Sequence, residues 1–189
     1  MLTTAASCSG RRSTTPTSTR KIAVIGHTGS GKTTFSRLLA ELLRVPHVEL
    51  DALHWKSGWI MTPPVEVQAK VAAILDGDGW VIDGNDGATL GTVVRDQADE
   101  VVWLDPPFPT SFLRLLRRTL RRLRTREQLW GTTNRETFRG AFLSRDSVLL
   151  YSLRTYRSRQ RQCREWIEGR PHVRLRSAAE VERYLAEAR

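Results

Sequence analysis

The run Gly26-His27-Thr28-Gly29-Ser30-Gly31-Lys32-Thr33 has the residue types and spacing of a phosphate cradle. Its glycines let the backbone turn tightly and aim N–H groups inward, because no Cβ blocks the approach. Lys32 can set a point charge on β- and γ-phosphates, and the Thr33 hydroxyl can ligate Mg²⁺. With Thr34 it opens a helix whose N-terminus favours anions. A nucleoside triphosphate is the expected ligand of this stretch.

Acidic residues that could complete such a site follow short apolar runs. Asp83 ends Trp80-Val81-Ile82 and could hold Mg²⁺ directly or through water, or simply cap a turn. Asp51 follows His47-Val48-Glu49-Leu50 and could deprotonate an acceptor hydroxyl or recognise the acceptor. Asp105 closes a third run, Val101-Val102-Trp103-Leu104. Between Ala52 and Pro64, His54, Trp55 and Trp59 are bulky. His54 has no metal partners in view and reads as a polar pocket histidine. The tryptophans could stack on a base or sugar, or lie over the core.

These groups need elements to position them. Lys21-Ile22-Ala23-Val24-Ile25 reads as a buried strand, and Phe35, Leu38, Leu39, Leu42 and Leu43 recur at helical spacing after the loop. Four further strands are expected at 47–50, 80–83, 101–104 and 173–175. Residues 52–64 read as loop, 65–75 as helix, and 84–100 as a Gly-rich turn with a short helix near Leu90 to Arg95. From Thr110 the period is helical, with Phe112, Leu115, Leu116, Leu120 and Leu123 on one face. A polar stretch over 125–140 precedes a long helix from about Ser144 to Glu168, and Val181, Tyr184 and Leu185 mark a last one. Strands alternating with helices predict a three-layer α/β domain over 21–189 with the active residues at strand carboxyl ends.

The chain has 189 residues, enough for one such domain without staples. Cys8 and Cys163 imply no disulfide framework, so a reducing, cytoplasmic setting is expected. No run is apolar enough to span a membrane. The net charge of +10 is uneven: residues 110–164 carry +12, residues 21–109 carry −5. Such a basic segment suits a polyphosphate or nucleic acid. Residues 1–20, with Ser, Thr, Arg11, Arg12 and Arg20 and no acid, are expected to be a disordered tail; an organelle transit peptide shares this composition.

The loop, Val45 to Leu53, Gly58-Trp59, Gly79 to Asn85, Ala98-Asp99, Val101 to Asp105, Leu129-Trp130, Asn134-Arg135-Glu136 and Arg145-Asp146-Ser147 together resemble the adenylate-kinase-like P-loop kinases. Within them the chain is similar to the bacterial topology modulation (FlaR-like) proteins. The Leu50–Leu53, Ile82–Asn85 and Asn134–Glu136 motifs are the selective part. The chain departs from that group at Gly131-Thr132-Thr133, where relatives have a shorter turn, and at Asp86, where they have an aromatic.

The resemblance implies the P-loop NTPase fold, with strand order 2-3-1-4-5 and a lid at about 125–140. It implies an ATP- and Mg²⁺-dependent kinase acting on a small acceptor, with a nucleotide as one candidate. Asp51 and Asn85 then face the acceptor, and Arg95 stands where relatives clamp it. Arg118, Arg122 and Arg126 lead into the lid, Arg135 lies in it, and Arg154 and Arg157 come from the returning helix. At least two of these are expected to meet phosphoryl oxygens. The alternative is a nucleotide-dependent regulatory or DNA-binding protein affecting DNA topology. Against it, the arginines interleave with a core face and no helix-turn-helix or zinc pattern occurs.

Overall fold

The apolar run before the phosphate loop becomes β1 (Lys21–Gly26), buried along all but its first residue. In this computed structural model, residues 20–85, 87–143 and 147–188 are described. The expected tail over 1–19, Asp86, and Arg145-Asp146 of the motif before the last long helix lie outside them. Arg20, assigned to the tail, is ion-paired with Glu100 at 2.9 Å.

After the loop come α1 (Lys32–Leu43), β2 (His47–Glu49), α2 (Leu50–His54) and a hairpin of β3 (Trp55–Lys56) and β4 (Ile60–Met61). Then follow α3 (Pro64–Leu75), β5 (Trp80–Asp83), α4 (Gly87–Leu90), α5 (Val93–Asp96) and β6 (Glu100–Leu104). The chain ends with α6 (Phe108–Thr125), a π turn (Arg139–Leu143), α7 (Val148–Ile167), β7 (His172–Leu175) and α8 (Ala178–Glu187). The five-stranded sheet is parallel, in spatial order β2-β5-β1-β6-β7. Counting its own strands alone, this is the expected 2-3-1-4-5.

Alternation along β1 sends Ala23 and Ile25 to one face and Ile22 and Val24 to the other. The first face packs Val67, Val71 and Leu75 of α3, Val94 of α5, and Cys163 and Trp166 of α7. The second packs Phe35, Leu39 and Ala40 of α1, flanked by Val181 and Leu185 of α8. At about 1.5–3 kcal/mol per fully buried large side chain, two such faces hold three layers together. Cys163 is a buried free thiol, pushed up to about 11 chiefly by burial.

Three expectations change. The 52–64 segment is not plain loop: the chain turns into α2 directly after Glu49, so Asp51 sits in a helix's first turn rather than at a strand end. The turn follows from Leu50, which is buried so close under Gly84 that a Cβ there would lie 2.7 Å from its own Cβ. Gly58 (φ 79°) and Trp59 (φ 58°) then close the hairpin, in which Trp55 pairs with Met61 and Lys56 with Ile60.

On α6 the buried face runs through Ser111, Leu115 and Thr119, and Leu120 is half exposed. Leu120 follows Leu115 by five residues, about 140° round the helix. Small residues line this face because it seats the phosphate loop: a Cβ on Gly29 would lie 2.3 Å from the Ser111 carbonyl. The last long helix begins at Val148 rather than near Ser144, capped by the Ser147 hydroxyl, which accepts from the Leu150 N–H at 3.5 Å.

Candidate active site

The loop winds between the end of β1 and the start of α1, with Gly29 at φ 77° and Gly31 at φ 100°. No side chain caps α1, so its first N–H groups face the loop's hollow. Lys32, the first helical residue, donates its ammonium to the Gly26 and His27 carbonyls at 3.0 and 3.2 Å. Burial lowers its pKa, and Arg118 lowers it further, while Asp51 and Asp83 oppose the shift. The Ser30 hydroxyl is buried without a hydrogen-bond partner, and Ser30 O accepts from Arg114 at 3.3 Å. Thr28 is half-buried and Thr34 exposed.

Two side chains fix the loop from behind. Asn85, expected on the acceptor side, instead turns its amide to Gly26, accepting from its N–H at 3.2 Å and donating to its carbonyl at 2.5 Å. Its own carbonyl accepts from Arg159 at 3.4 Å. Arg159 therefore supports the loop from α7, whereas Arg154 and Arg157 are exposed on the same helix. His27 is 96 % buried and its Nε2 lies 2.8 Å from Ser152 Oγ. Tyr156 meets its ring edge-on at 5.3 Å between centroids.

Carboxylates gather on the other side of the loop. The Thr33 hydroxyl donates to Glu49 Oε1 at 3.3 Å, while the buried Asp83 is held by His47 Nε2 at 2.8 Å. Glu49, rather than Asp83, is thus the carboxylate in contact with Thr33. Register explains their closeness, since Glu49 stands opposite Asp83 across β2 and β5. Burial raises the Glu49 pKa, and the charges of Asp83 and Asp51 add to this; Trp130 and Thr33 hydrogen bonds pull the other way. Asp51 is exposed. Asp105, the third strand-end acid, is taken up by Arg174, whose Nε donates at 2.9 Å, and by Gln160.

The expected arginines divide. Arg118 points inward from α6 with its Nε buried and unpartnered; burial lowers its pKa, as does Arg122 beside it, against Glu136, Glu49 and Asp51. Arg122 is ion-paired with Glu136 at 3.0 Å. Arg126 ends α6 at φ 50° and is exposed, as is Arg135. Arg95 is 94 % buried: its guanidinium donates to the Gly91 carbonyl at 2.8 Å and lies 4.0 Å over the Trp166 ring.

Over the carboxylates stand three tryptophans. Trp55 and Trp59 meet edge-on at 5.5 Å, Trp59 and Trp130 at 6.2 Å, and Trp130 lies close enough to Glu49 to favour its charged form. The buried Asn134 joins the hairpin to the 128–136 segment, accepting from Trp59 N–H at 2.8 Å and donating to the Lys56 carbonyl at 2.9 Å. Sequence reasoning missed Glu49, Arg159 and the Asn134 bridge. Glu49 had a readable signal, a carboxylate two residues before Asp51 on a strand flanking that of Asp83, and Asn134 lay in a selective motif that did not show its bridging role.

The described residues fit a polyphosphate with its metal. The unpartnered Ser30 hydroxyl and Arg118 Nε are donors without an acceptor. Among the described residues no group of three or more His, Cys, Asp or Glu could hold a metal ion by itself. Mg²⁺ ordinarily takes one or two carboxylates plus substrate phosphates, so Thr33 with Glu49 is the right donor set for it.

No family model matches the chain, and no curated protein matches it. Solved structures do. A shikimate kinase from Acinetobacter baumannii, in complex with shikimate, aligns with TM-score 0.52 and 18 % identity over 89 % of this chain and 90 % of its own. A gluconokinase from Sinorhizobium meliloti aligns with TM-score 0.53 and 19 % identity over 90 % of both chains. A shikimate kinase from Bacteroides thetaiotaomicron aligns with TM-score 0.51 and 16 % identity over 88 % of this chain and 94 % of its own. At such identities the likeness is one of fold, and the fold is that of the P-loop kinases.

Proposed function

We propose that the protein is a kinase that moves the γ-phosphoryl group of ATP to a small-molecule acceptor. The observation that carries this reading is a pair of half-buried residues whose cationic groups are desolvated beside the loop, Lys32 and Arg118. Among the described residues Lys32 has only loop carbonyls as hydrogen-bond partners, and Arg118 keeps an unpartnered Nε. Two desolvated cations with no carboxylate bound to them among the described residues are costly unless a polyanion completes them. Phosphoryl transfer needs that kind of charge neutralisation more than covalent chemistry.

In this reading the loop N–H groups and Lys32 grip the β- and γ-phosphates, and Arg118 meets charge on the transferring group. Mg²⁺, bound with the nucleotide, would neutralise phosphate charge beside Thr33 and Glu49, with Asp83 behind them. Asp51, exposed and within the field of both cations, takes the acceptor's hydroxyl proton. The acceptor oxygen forms the new P–O bond as the β–γ bridging P–O bond breaks, and ADP leaves with that electron pair. Trp55 and Trp59 border the acceptor. The exposed Arg126 and Arg135 approach on closure of the 125–140 segment, which would exclude water, while Arg122 is held by Glu136, and Arg154 and Arg157 line the exposed side of α7 as further phosphate contacts.

The finer likeness to topology modulation proteins rests on the Leu50–Leu53, Ile82–Asn85 and Asn134–Glu136 motifs and is part of this proposal, as is a cytoplasmic setting. Among the described residues no helix is long and apolar enough to cross a membrane. The test is transfer from labelled ATP to an acceptor panel, by wild type and Lys32→Ala. Acceptor-dependent transfer lost in the variant is expected. Salt-sensitive DNA binding indifferent to ATP and to the substitution would replace the kinase reading with the DNA-binding one.

A further inference from the structure

We infer that the acceptor is an alcohol carrying no anionic group, which presents an apolar or cationic face to the Trp55–Trp59–Trp130 surface. The inference rests on the kinase reading above and narrows its substrate.

An anionic acceptor, such as a nucleotide or a hydroxy acid, needs a cation to clamp it. Among the described residues, Arg95, Lys56 and Arg122 near the carboxylates have partners, while the exposed Arg126 and Arg135 approach the transferring group on closure. Arg95, the residue whose position suggests such a clamp, donates to Gly91 O and is stacked on Trp166, with its buried Nε unpartnered among the described residues. A cavity of about 10 Å³, room for one water at most, lies beside it, bordered by Leu50, Gly84, Leu90 and Val94. Lys56 on the hairpin is paired with Glu66 at 2.6 Å, and Arg122 with Glu136 at 3.0 Å. Arg118 sits with Lys32 at the loop, where the transferring group claims it.

The carboxylates point the same way. Glu49, in contact with Thr33, has Asp83 opposite it in the sheet and Asp51 two residues on. A second anion brought beside them meets like charge. A neutral alcohol does not, and a cationic one is attracted. Above them, edge-on tryptophans offer what such a molecule can use: Trp59 is 45 % exposed and touches both other rings. Indole faces bind flat apolar groups and, through the ring quadrupole, ammonium groups.

The experiment uses the full chain with Mg²⁺ and labelled ATP against three sets of acceptors. They are neutral nucleosides, hydroxylated amines such as amino alcohols and aminocyclitols, and the anionic counterparts, nucleoside monophosphates and hydroxy acids. Transfer to a member of the first two sets, at kcat/KM at least about tenfold above the anionic set, is expected. Trp59→Gly, which suits the φ of 58° at that position, should raise the acceptor KM about tenfold and leave the KM for ATP unchanged. Preferred transfer to the anionic set overturns this inference and leaves the kinase reading standing. Transfer to none of the three overturns both. A Trp59→Gly enzyme with an unchanged acceptor KM also overturns the inference.

Discussion

His27 Nε2 and Ser152 Oγ lie 2.8 Å apart, joining the phosphate loop to α7 across 125 residues of chain. The bond is buried, so removing one partner leaves the other unsatisfied, at a cost of about 1–3 kcal/mol. Ser152→Ala should therefore loosen the loop while Lys32 stays in place. The expected outcome is weaker ATP binding, about 5- to 50-fold, with little change in kcat at saturating ATP. Calorimetric titration of the nucleotide, beside steady-state kinetics, checks it.

The same histidine makes stability depend on pH. Burial, then the charges of Lys32 and Arg159, lower its pKa from 6.5 to about 4, although a hydrogen bond to the Ser152 backbone raises it. Between these values the unfolded chain binds a proton that the folded one refuses, so acid favours unfolding. The neutral ring's contribution is complete above about pH 6.5 and is lost as pH falls through about 4. Urea midpoints should drop across this window in wild type and drop less in His27→Gln. Equal slopes for the two proteins would remove His27 as the cause.

Arg118 and Arg122 stand one helical turn apart and should fail in opposite ways. Arg122 holds Glu136 at 3.0 Å, so Arg122→Ala leaves that carboxylate without its partner and should lower the melting temperature. Among the described residues Arg118 has no carboxylate bonded to it and keeps a buried Nε without a partner. Arg118→Met should leave stability level or raise it, yet slow phosphoryl transfer at least about 100-fold, the order found for charge-stabilising groups. Melting curves together with single-turnover rates separate the two.

The carboxylate beside Thr33 is Glu49, and this decides which substitution should alter the metal requirement. Glu49→Gln should raise the Mg²⁺ concentration for half-maximal transfer about tenfold or more. Asp83→Asn should move it less, because Asp83 faces His47. A Mg²⁺ titration of each variant at fixed ATP reads the difference. A larger shift in Asp83→Asn would return the metal to Asp83.

Legibility in the sequence followed the range of each interaction. The strand–loop–helix around Lys32 was readable because its signals are local: a β-branched run, glycines at fixed spacing, then a helical period. Sheet order came through the resemblance and held. What misled was information carried by distant contacts. Leu120 looks apolar enough for the core, but the face of α6 is chosen by its fit to Gly29 through Ser111 and Leu115. Arg95 looks like a ligand clamp, and only Trp166, 71 positions away, shows where its charge goes. Asn85 reads as an acceptor contact until Gly26 is seen to take both ends of its amide. Glu49 stood in plain view two residues before Asp51, but its importance depends on the register of β2 against β5.

Asn134 is the only described residue whose side chain bonds the tryptophan hairpin at two backbone atoms, at Trp59 N–H and Lys56 O. It is 98 % buried, and its own backbone ties into the 128–136 segment through Leu129, whose N–H donates to the Asn134 carbonyl at 2.9 Å. Hairpin and segment are therefore one mechanical piece, and any closure over the loop carries Trp55 and Trp59 with it. Asn134→Ala breaks both bonds and leaves a part-buried N–H and carbonyl to seek water, about 1 kcal/mol each. The sheet and the phosphate loop are made elsewhere, so ATP binding should survive. The expected outcome is faster proteolysis between 125 and 140, altered tryptophan emission, and an acceptor KM raised about tenfold. If protease sensitivity and emission stay at wild-type values, hairpin and segment are held together by the tryptophan contacts instead, and Trp130→Ala should then release them.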